Sequence, residues 1–184
     1  MPEASLEDTG GSGVAPAGEG WFVVNVADAE WWTGETFGSA CRFESPAAWF
    51  QQVGVNIRVL EPGKPNCLYH SENQQEAFLV LHGTCRLLVD GEERTLRTWD
   101  FFHCPAGTEH VFVGGDDGPC AVLMIGARPS SDEEEELFYP VSELAARHGA
   151  SADEATPDPA KAYARFTRPE RGRPGSWDRL PWAG

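Results

Sequence analysis

Apolar and polar residues alternate at short range through the middle of the chain and lose that rhythm at both ends. From Val55 the pattern is one of strands: Asn56-Ile57-Arg58-Val59-Leu60 stops at the turn signal Glu61-Pro62-Gly63-Lys64-Pro65. Cys67-Leu68-Tyr69-His70 is the next short run, followed by Ala77-Phe78-Leu79-Val80-Leu81, which Gly83 halts. Cys85-Arg86-Leu87-Leu88-Val89 and Glu93-Arg94-Thr95-Leu96 flank Asp90-Gly91, a pair that predicts a tight hairpin. Asp100 to Cys104, Val111 to Val113 and Cys120 to Ile125 complete the series. Short strands at close spacing, separated by turn residues and with no helical pattern between them, predict an all-β sandwich or barrel of antiparallel strands.

The flanks read differently. Residues 1–20 are Gly, Ala, Ser and acidic residues with almost no large apolar side chains, so a flexible, disordered tail is expected there. Trp21 to Val26 is a short β-rich run, and the irregular stretch through Trp31-Trp32 to Phe43 predicts edge strands or a lid. Ser45-Pro46 suits one helical turn or a connector. Beyond Arg128 comes an acidic run, Ser131 to Glu136, read as a solvated loop or a helix start. Val141 to His148 predicts a short helix closed by Gly149, and Asp158-Pro159 opens another with an N-cap and a first-turn proline. Arg165 to Gly184 mixes Arg, Pro, Gly and Trp and is expected to pack across the barrel or on a neighbouring subunit. The expected organisation is a tail over 1–20, a barrel with its N-terminal strands over 21–127 (its motif-bearing core 55–127), and a helical or irregular extension over 128–184.

Composition narrows the function classes. A length of 184 residues with 41% hydrophobic and 23% charged residues suits one globular core with ragged ends. The formal net charge of −15 repels phosphate backbones and anionic lipid, which argues against nucleic-acid and membrane-surface partners. No apolar run approaches the ~20 residues of a spanning helix. The start, Met1-Pro2-Glu3-Ala4, has neither the basic region nor the apolar run of a secretory signal. Five cysteines without paired spacing then point to free, buried thiols and a cytoplasmic location.

Candidate chemistry sits between Gly63 and His110. Strand residues two apart share a face, so His70 and Glu72 point into one space. A turn at Asn73-Gln74-Gln75 returns the chain, and Glu76 opens the next strand toward the same space; His110 follows the turn Pro105-Ala106-Gly107 on another strand. Imidazoles and carboxylates gathered from stiff elements are what a divalent ion requires. Phe78, Val80 and Phe112 run in phase with Glu76 and His110 and are expected to wall the pocket, with Phe102 and Cys104 beside them. His82 and His103 read as ordinary strand or turn residues, and Cys104 as a core thiol with no base to activate it.

These residues resemble the two motifs of the cupin superfamily. The first family motif is Gly, five residues, His-x-His, three or four residues, Glu, six residues, Gly; here it stands as Gly63, six residues, His70-Ser71-Glu72, three residues, Glu76, six residues, Gly83. The second, Gly, five residues, Pro-x-Gly-x-x-His, stands as Trp99, five residues, Pro105-Ala106-Gly107-Thr108-Glu109-His110. The resemblance implies a small double-stranded β-helix (jelly-roll) barrel and a metal-ligand set of His70, Glu72, Glu76 and His110. Three departures stand out: the first spacer is one residue longer, Trp99 replaces a glycine, and Glu72 replaces the second histidine. The additional carboxylate favours Mn²⁺ or Fe²⁺, with Zn²⁺ and Ni²⁺ also accommodated. In the other reading, one of the carboxylates Glu72 and Glu76 stays off the metal as a catalytic base.

Resemblance to cupins permits dioxygenases, isomerases, decarboxylases and epimerases acting on small molecules, and fold alone does not choose among them. A metal-dependent enzyme is the first reading, with a slight lean to a non-haem dioxygenase-type reaction because two histidines and one carboxylate suit open-sited iron. The second is a non-catalytic barrel that binds a small ligand or carbohydrate. The third is a regulatory or interaction module using the acidic run and Arg-rich tail. A homodimer is implied by the resemblance only. Ser142 to Ser151 imitates the first half of a helix-turn-helix, but the segment that would supply the recognition helix is acidic and broken by Pro157 and Pro159, against DNA binding.

Overall fold

Strand alternation in the middle of the sequence becomes two facing antiparallel sheets in the computed structural model, which describes residues 1–129 and 136–183. In chain order the described strands are β1 (Leu6–Asp8), β2 (Val14–Pro16), β3 (Glu30–Gly34), β4 (Gly38–Arg42), β5 (Val53–Leu60), β6 (Ser71–Glu72) and β7 (Glu76–His82). They continue with β8 (Thr84–Val89), β9 (Glu92–Arg97), β10 (Phe101–Cys104), β11 (His110–Gly114), β12 (Cys120–Ala127), β13 (Leu137–Phe138) and β14 (Glu170–Arg171). The large sheet has the order β10-β7-β12-β5-β4-β3-β14, and the small one β11-β8-β9; β1 pairs β2 and β13 pairs β6. This is an all-β barrel of antiparallel strands with little helix, as expected.

Period-two burial decides which face each strand offers. Phe78 and Val80 of β7, Val122 and Met124 of β12 and Leu60 of β5 meet Leu87 of β8 and Phe112 of β11 between the sheets. Residues of the opposite parity face outward and are covered separately. Ile57, Val59, Cys41, Trp31 and Ala121 on the back of the large sheet pack with Leu180, Trp177 and Trp182 of the C-terminal stretch. Leu88, Val111 and Val113 on the back of the small sheet pack with Ala145 and Ala150. Burial on both faces explains why the central runs are so apolar.

Turn chemistry follows the residues. Asp90 and Gly91 have φ of 45° and 79°, the paired positive values of a type I′ turn, and β8 and β9 leave it in register with Val89 opposite Glu92. Helix α1 (Glu143–Ala146) is capped by Ser142, whose hydroxyl accepts the Ala145 N–H, and Gly149 follows it at φ 69°. In α2 (Pro159–Ala162) the Asp158 carboxylate accepts the Ala160 N–H. The stretch expected as edge strands or a lid supplies β3 and β4 at the side of the large sheet.

Residues 1–20, where a disordered tail was expected, form the β1–β2 pair. Ala4, Ser12 and Ala15 are buried, and Ala4 N–H donates to Trp21 O at 2.9 Å. Small residues bury little area, but they let the backbone approach closely enough to exchange hydrogen bonds with residues 21–29. Of the acidic run, residues 131–135 lie outside the described residues. No helix among the described residues is long and apolar enough to cross a membrane.

Candidate metal centre

Three side chains converge where the two motifs meet. His70 and His110 form an antiparallel bridge, with His70 N–H donating to His110 O at 3.2 Å and His110 N–H donating back at 2.8 Å. Glu76 is the first residue of β7, opposite Cys104 of β10 and Gly126 of β12. One ligand atom from each of His70, Glu76 and His110 lies within 4.8 Å of the others. Gly126 lies alongside the carboxylate, where a Cβ would make only ordinary contact, 3.7 Å from Glu76 Oε1.

Both imidazoles are held on their far side. His70 Nδ1 lies 2.9 Å from Leu68 O, and His110 Nδ1 lies 3.2 Å from Thr108 O. A ring nitrogen facing a carbonyl must carry the proton, so each Nδ1–H donates and leaves Nε2 as the nitrogen able to bind a metal. Thiols flank the same edges, with Cys67 Sγ 3.7 Å from His70 Nδ1 and Cys104 Sγ 3.5 Å from His110 Nδ1.

The orientation of Glu76 tests the fit. Its Oε2 is buried with no hydrogen-bond partner, yet lies 3.1 Å from His110 Nε2. In the metal-free chain this contact is an ion pair with the protonated imidazole rather than an aligned hydrogen bond, and once that proton leaves, both atoms face a common point. That separation is close to the distance between adjacent ligands on a metal at about 2.0–2.2 Å. Two neutral nitrogens and one ionised oxygen fit a divalent transition metal.

The metal-free charge state follows from the surroundings. Burial lowers the His70 pKa to about 4, assisted by His110, against the pull of Glu76 and the Leu68 carbonyl. Burial also opposes charge on His110, but the Cys104 sulfur and the Glu76 carboxylate outweigh it and raise its pKa to about 10. Burial pushes the Cys67 thiol up to about 12, so it stays protonated.

Glu72 lies outside the three-residue cluster. It belongs to β6, which leaves the His110 backbone to pair with β13, and its carbonyl accepts the Gly107 N–H at 2.7 Å. Its side chain lines a cavity of about 630 Å³ together with Asn73, Gly107, Glu136 and Phe138. Phe78, Val80, Cys104 and Phe112 are buried and pack together with Phe102 against them, so they fill the barrel interior around His110. Phe78 and Phe102 bring their rings to 5.3 and 6.2 Å from the His110 ring.

Sequence reasoning missed the residues on the other side of His70. Asn66 and Cys67 precede it; Asn66 Oδ1 accepts the Phe112 N–H at 2.8 Å, tying the first motif to β11. Tyr139 stacks on the His70 ring at 5.7 Å. Asn56 and Arg58 stand at the inward parity of β5, in register with Met124 and Val122. The signal for the last two was visible: polar residues at the core-facing positions of a central strand.

A two-sheet barrel with a His-Glu-His grouping at the junction of two strand turns, His110 buried and the other two part-buried, is a β-barrel with a candidate metal site. Residues 56–126 match the cupin domain family. That match and the cupin-fold neighbours support a place for the chain in the cupin superfamily. A sugar phosphate isomerase of that superfamily from Silicibacter pomeroyi superposes with a TM-score of 0.55 at 28% identity, over 64% of this chain and 80% of that one. A structure from Acidithiobacillus ferrooxidans, provisionally assigned as a sugar phosphate isomerase, aligns at 25% identity and TM-score 0.46, over 51% of this chain and 60% of that one. A polyketide cyclase from Streptomyces resistomycificus covers 88% of this chain and 94% of its own with a TM-score of 0.51. Its 12% identity makes that likeness one of fold alone. No curated protein matches the sequence.

Proposed function

We propose that the chain is a metal-dependent enzyme acting on a small polar molecule, with His70, Glu76 and His110 as ligands of one divalent ion. The carrying observation is the buried Glu76 Oε2, which has no aligned hydrogen bond and faces two imidazoles whose Nδ1–H groups are already committed to carbonyls. When bound, an Fe, Mn, Ni or Zn ion supplies Lewis acidity, and a redox-active one also supplies oxygen chemistry. The chain's own contribution is to fix both imidazoles by their Nδ1–H bonds and to surround His110 with Phe78 and Phe102, which exclude water. Glu72 stands off the cluster on the wall of the adjoining cavity, a position that suits a general base.

Two reaction classes fit this set. Two histidines and one carboxylate suit oxygen activation by iron. The likeness to a sugar phosphate isomerase at 28% identity supports proton transfer on a carbonyl compound instead. Metal analysis of protein purified without added ions tests the shared reading: about one ion per chain is expected, lost in Glu76→Ala. Absence of any ion, with none taken up on titration, would leave a non-catalytic ligand-binding barrel. Oxygen uptake by the Fe²⁺-loaded protein separates the two reaction classes.

A further inference from the structure

We infer that Arg58, Arg42 and Arg168 form a binding subsite for a small anion, the phosphate monoester or carboxylate end of a ligand. That this ligand's other end reaches the His70–Glu76–His110 cluster rests on the metal-centre reading; the anion site itself does not.

Register places the two central arginines on the barrel's inner face. Arg58 of β5 stands opposite Val122 of β12 and Ala40 of β4, and Arg42 of β4 stands opposite Asn56. Val122 and Leu60 share that parity and lie in the barrel core. An arginine among them would ordinarily be paired, because a buried cation without a partner costs several kcal/mol. Arg58 has no such partner: its Nε is sealed from solvent with no hydrogen bond, and no described residue forms an ion pair with its guanidinium. Burial is the main influence lowering its pKa, and the Arg42 charge works in the same direction. A guanidinium does not give up its proton, so the conflict persists as unsatisfied charge.

The surroundings leave that charge open to a ligand. Arg58, Arg42 and Arg168 line a cavity of about 510 Å³, together with Asn66, Cys67 and Tyr163, and no Asp or Glu among the described residues lines it. In a chain of net charge −15, three cations without one acid is a marked local reversal. Glu44, which lines an adjoining cavity with Arg42 and Arg58, and Glu30 are already engaged. Glu30 takes Arg171 at 3.1 Å and the Trp32 Nε1–H at 2.8 Å, while both Glu44 oxygens are held by Arg128 at 2.8 Å. Arg42 lies over the Trp32 ring at 4.7 Å, which orients its planar fork without neutralising it. The Tyr163 hydroxyl accepts the Leu68 N–H at 3.0 Å, so its own proton remains to donate. Three guanidiniums and a phenol supply the forked donors that phosphate or carboxylate oxygens take.

Cys67 connects this cavity to the candidate metal centre, because it lines the cavity wall and its sulfur lies 3.7 Å from His70 Nδ1. A small ligand anchored at the arginines would therefore lie on the His70 side of the barrel.

The test titrates the full chain with inorganic phosphate, and separately with acetate, at constant ionic strength against chloride, by calorimetry and melting temperature. Phosphate or acetate should bind and raise the melting temperature above the chloride control, and the stronger of the two identifies the anionic group. Arg58→Met should weaken that binding about tenfold or more. In anion-free buffer it should melt no lower than the wild type, because it replaces an unsatisfied charge by an apolar chain of similar length. A purely structural arginine would instead lower the melting temperature when removed. Arg42→Gln, at the more open position, should weaken binding independently and serves if Arg58→Met does not fold. His110→Ala should empty the metal centre and leave anion binding intact. Binding no stronger than chloride, or unchanged binding in both arginine variants, overturns the subsite. Anion binding by protein that takes up no metal would instead refute the metal centre and leave the subsite standing.

Discussion

Loading the His70–Glu76–His110 cluster with a metal must expel a proton, and the extent of that coupling follows from its geometry. In the metal-free chain Glu76 Oε2 lies 3.1 Å from His110 Nε2, and the His110 pKa stands at about 10 against an ordinary 6.5. His70, lowered to about 4, is neutral at the same pH. A metal ligand must be the neutral imidazole, so at neutral pH one proton leaves His110 for each ion bound. From about pH 7 up to a pKa of about 10 there are three units at about 1.4 kcal/mol each, so this costs roughly 4 kcal/mol of apparent affinity. The affinity should rise about tenfold per pH unit between about pH 6 and about pH 8. Calorimetric titration of the apo-protein with Zn²⁺, in buffers of contrasting ionisation enthalpy, measures the proton count directly; close to one is expected. A count near zero, or an affinity flat across that range, would refute the account of His110. Stability of the apo-protein carries the same signs. The raised His110 stabilises the fold fully below pH 6.5, a contribution lost as pH rises through about 10. For His70 the unfolded chain takes up a proton that the folded one refuses, so stability falls as pH drops from 6.5 toward about 4.

Three further outcomes are expected. His70→Ala, Glu76→Ala and His110→Ala should each lose the bound metal, whereas Glu72→Ala should keep its full content by elemental analysis, since Glu72 stands outside the cluster. Trp99→Gly should raise stability by about 1 kcal/mol in chemical denaturation, because Trp99 holds φ 76° while 71% exposed and so bears left-handed strain with little packing in return. Trp31→Ala should cost about 3–5 kcal/mol and loosen the C-terminal stretch to proteolysis. Trp31 is fully buried, stacks on Trp182 at 5.7 Å, meets Trp177 edge-on at 5.6 Å and donates its Nε1–H to Val26 O.

Much of the barrel was legible in the sequence because its signals are local. Alternation in Ala77–Leu81 and the Asp90-Gly91 pair each specify their own strand or turn without reference to distant residues. Pairing partners are not local, and that is where reading failed. The Gly-rich N-terminal residues look unable to fold alone, yet they pair with each other and exchange hydrogen bonds with residues 21–29, partners that composition does not reveal. Arg58 was passed over for a different reason. Its neighbours Ile57 and Val59 identify a strand, but the inward parity it shares with Leu60 matters only once the sheet's two faces are known.

Glu72 shows the limit of parity most clearly. Alternation places residues two apart on one face only while the strand keeps the same partner, and the chain changes partner between His70, which bridges His110, and β6, which pairs with β13. The change has an electrostatic consequence for the proposed centre. Two neutral imidazoles and one carboxylate leave a divalent ion with one net positive charge, whereas a second carboxylate would cancel it. A cationic centre would supply stronger Lewis acidity and would attract an anionic substrate group, in keeping with the arginines on the His70 side of the barrel. In the proposed centre, Glu in place of the family's second histidine would change the donor count without adding an anionic ligand, and its effect on reactivity would act through the cavity wall that Glu72 occupies.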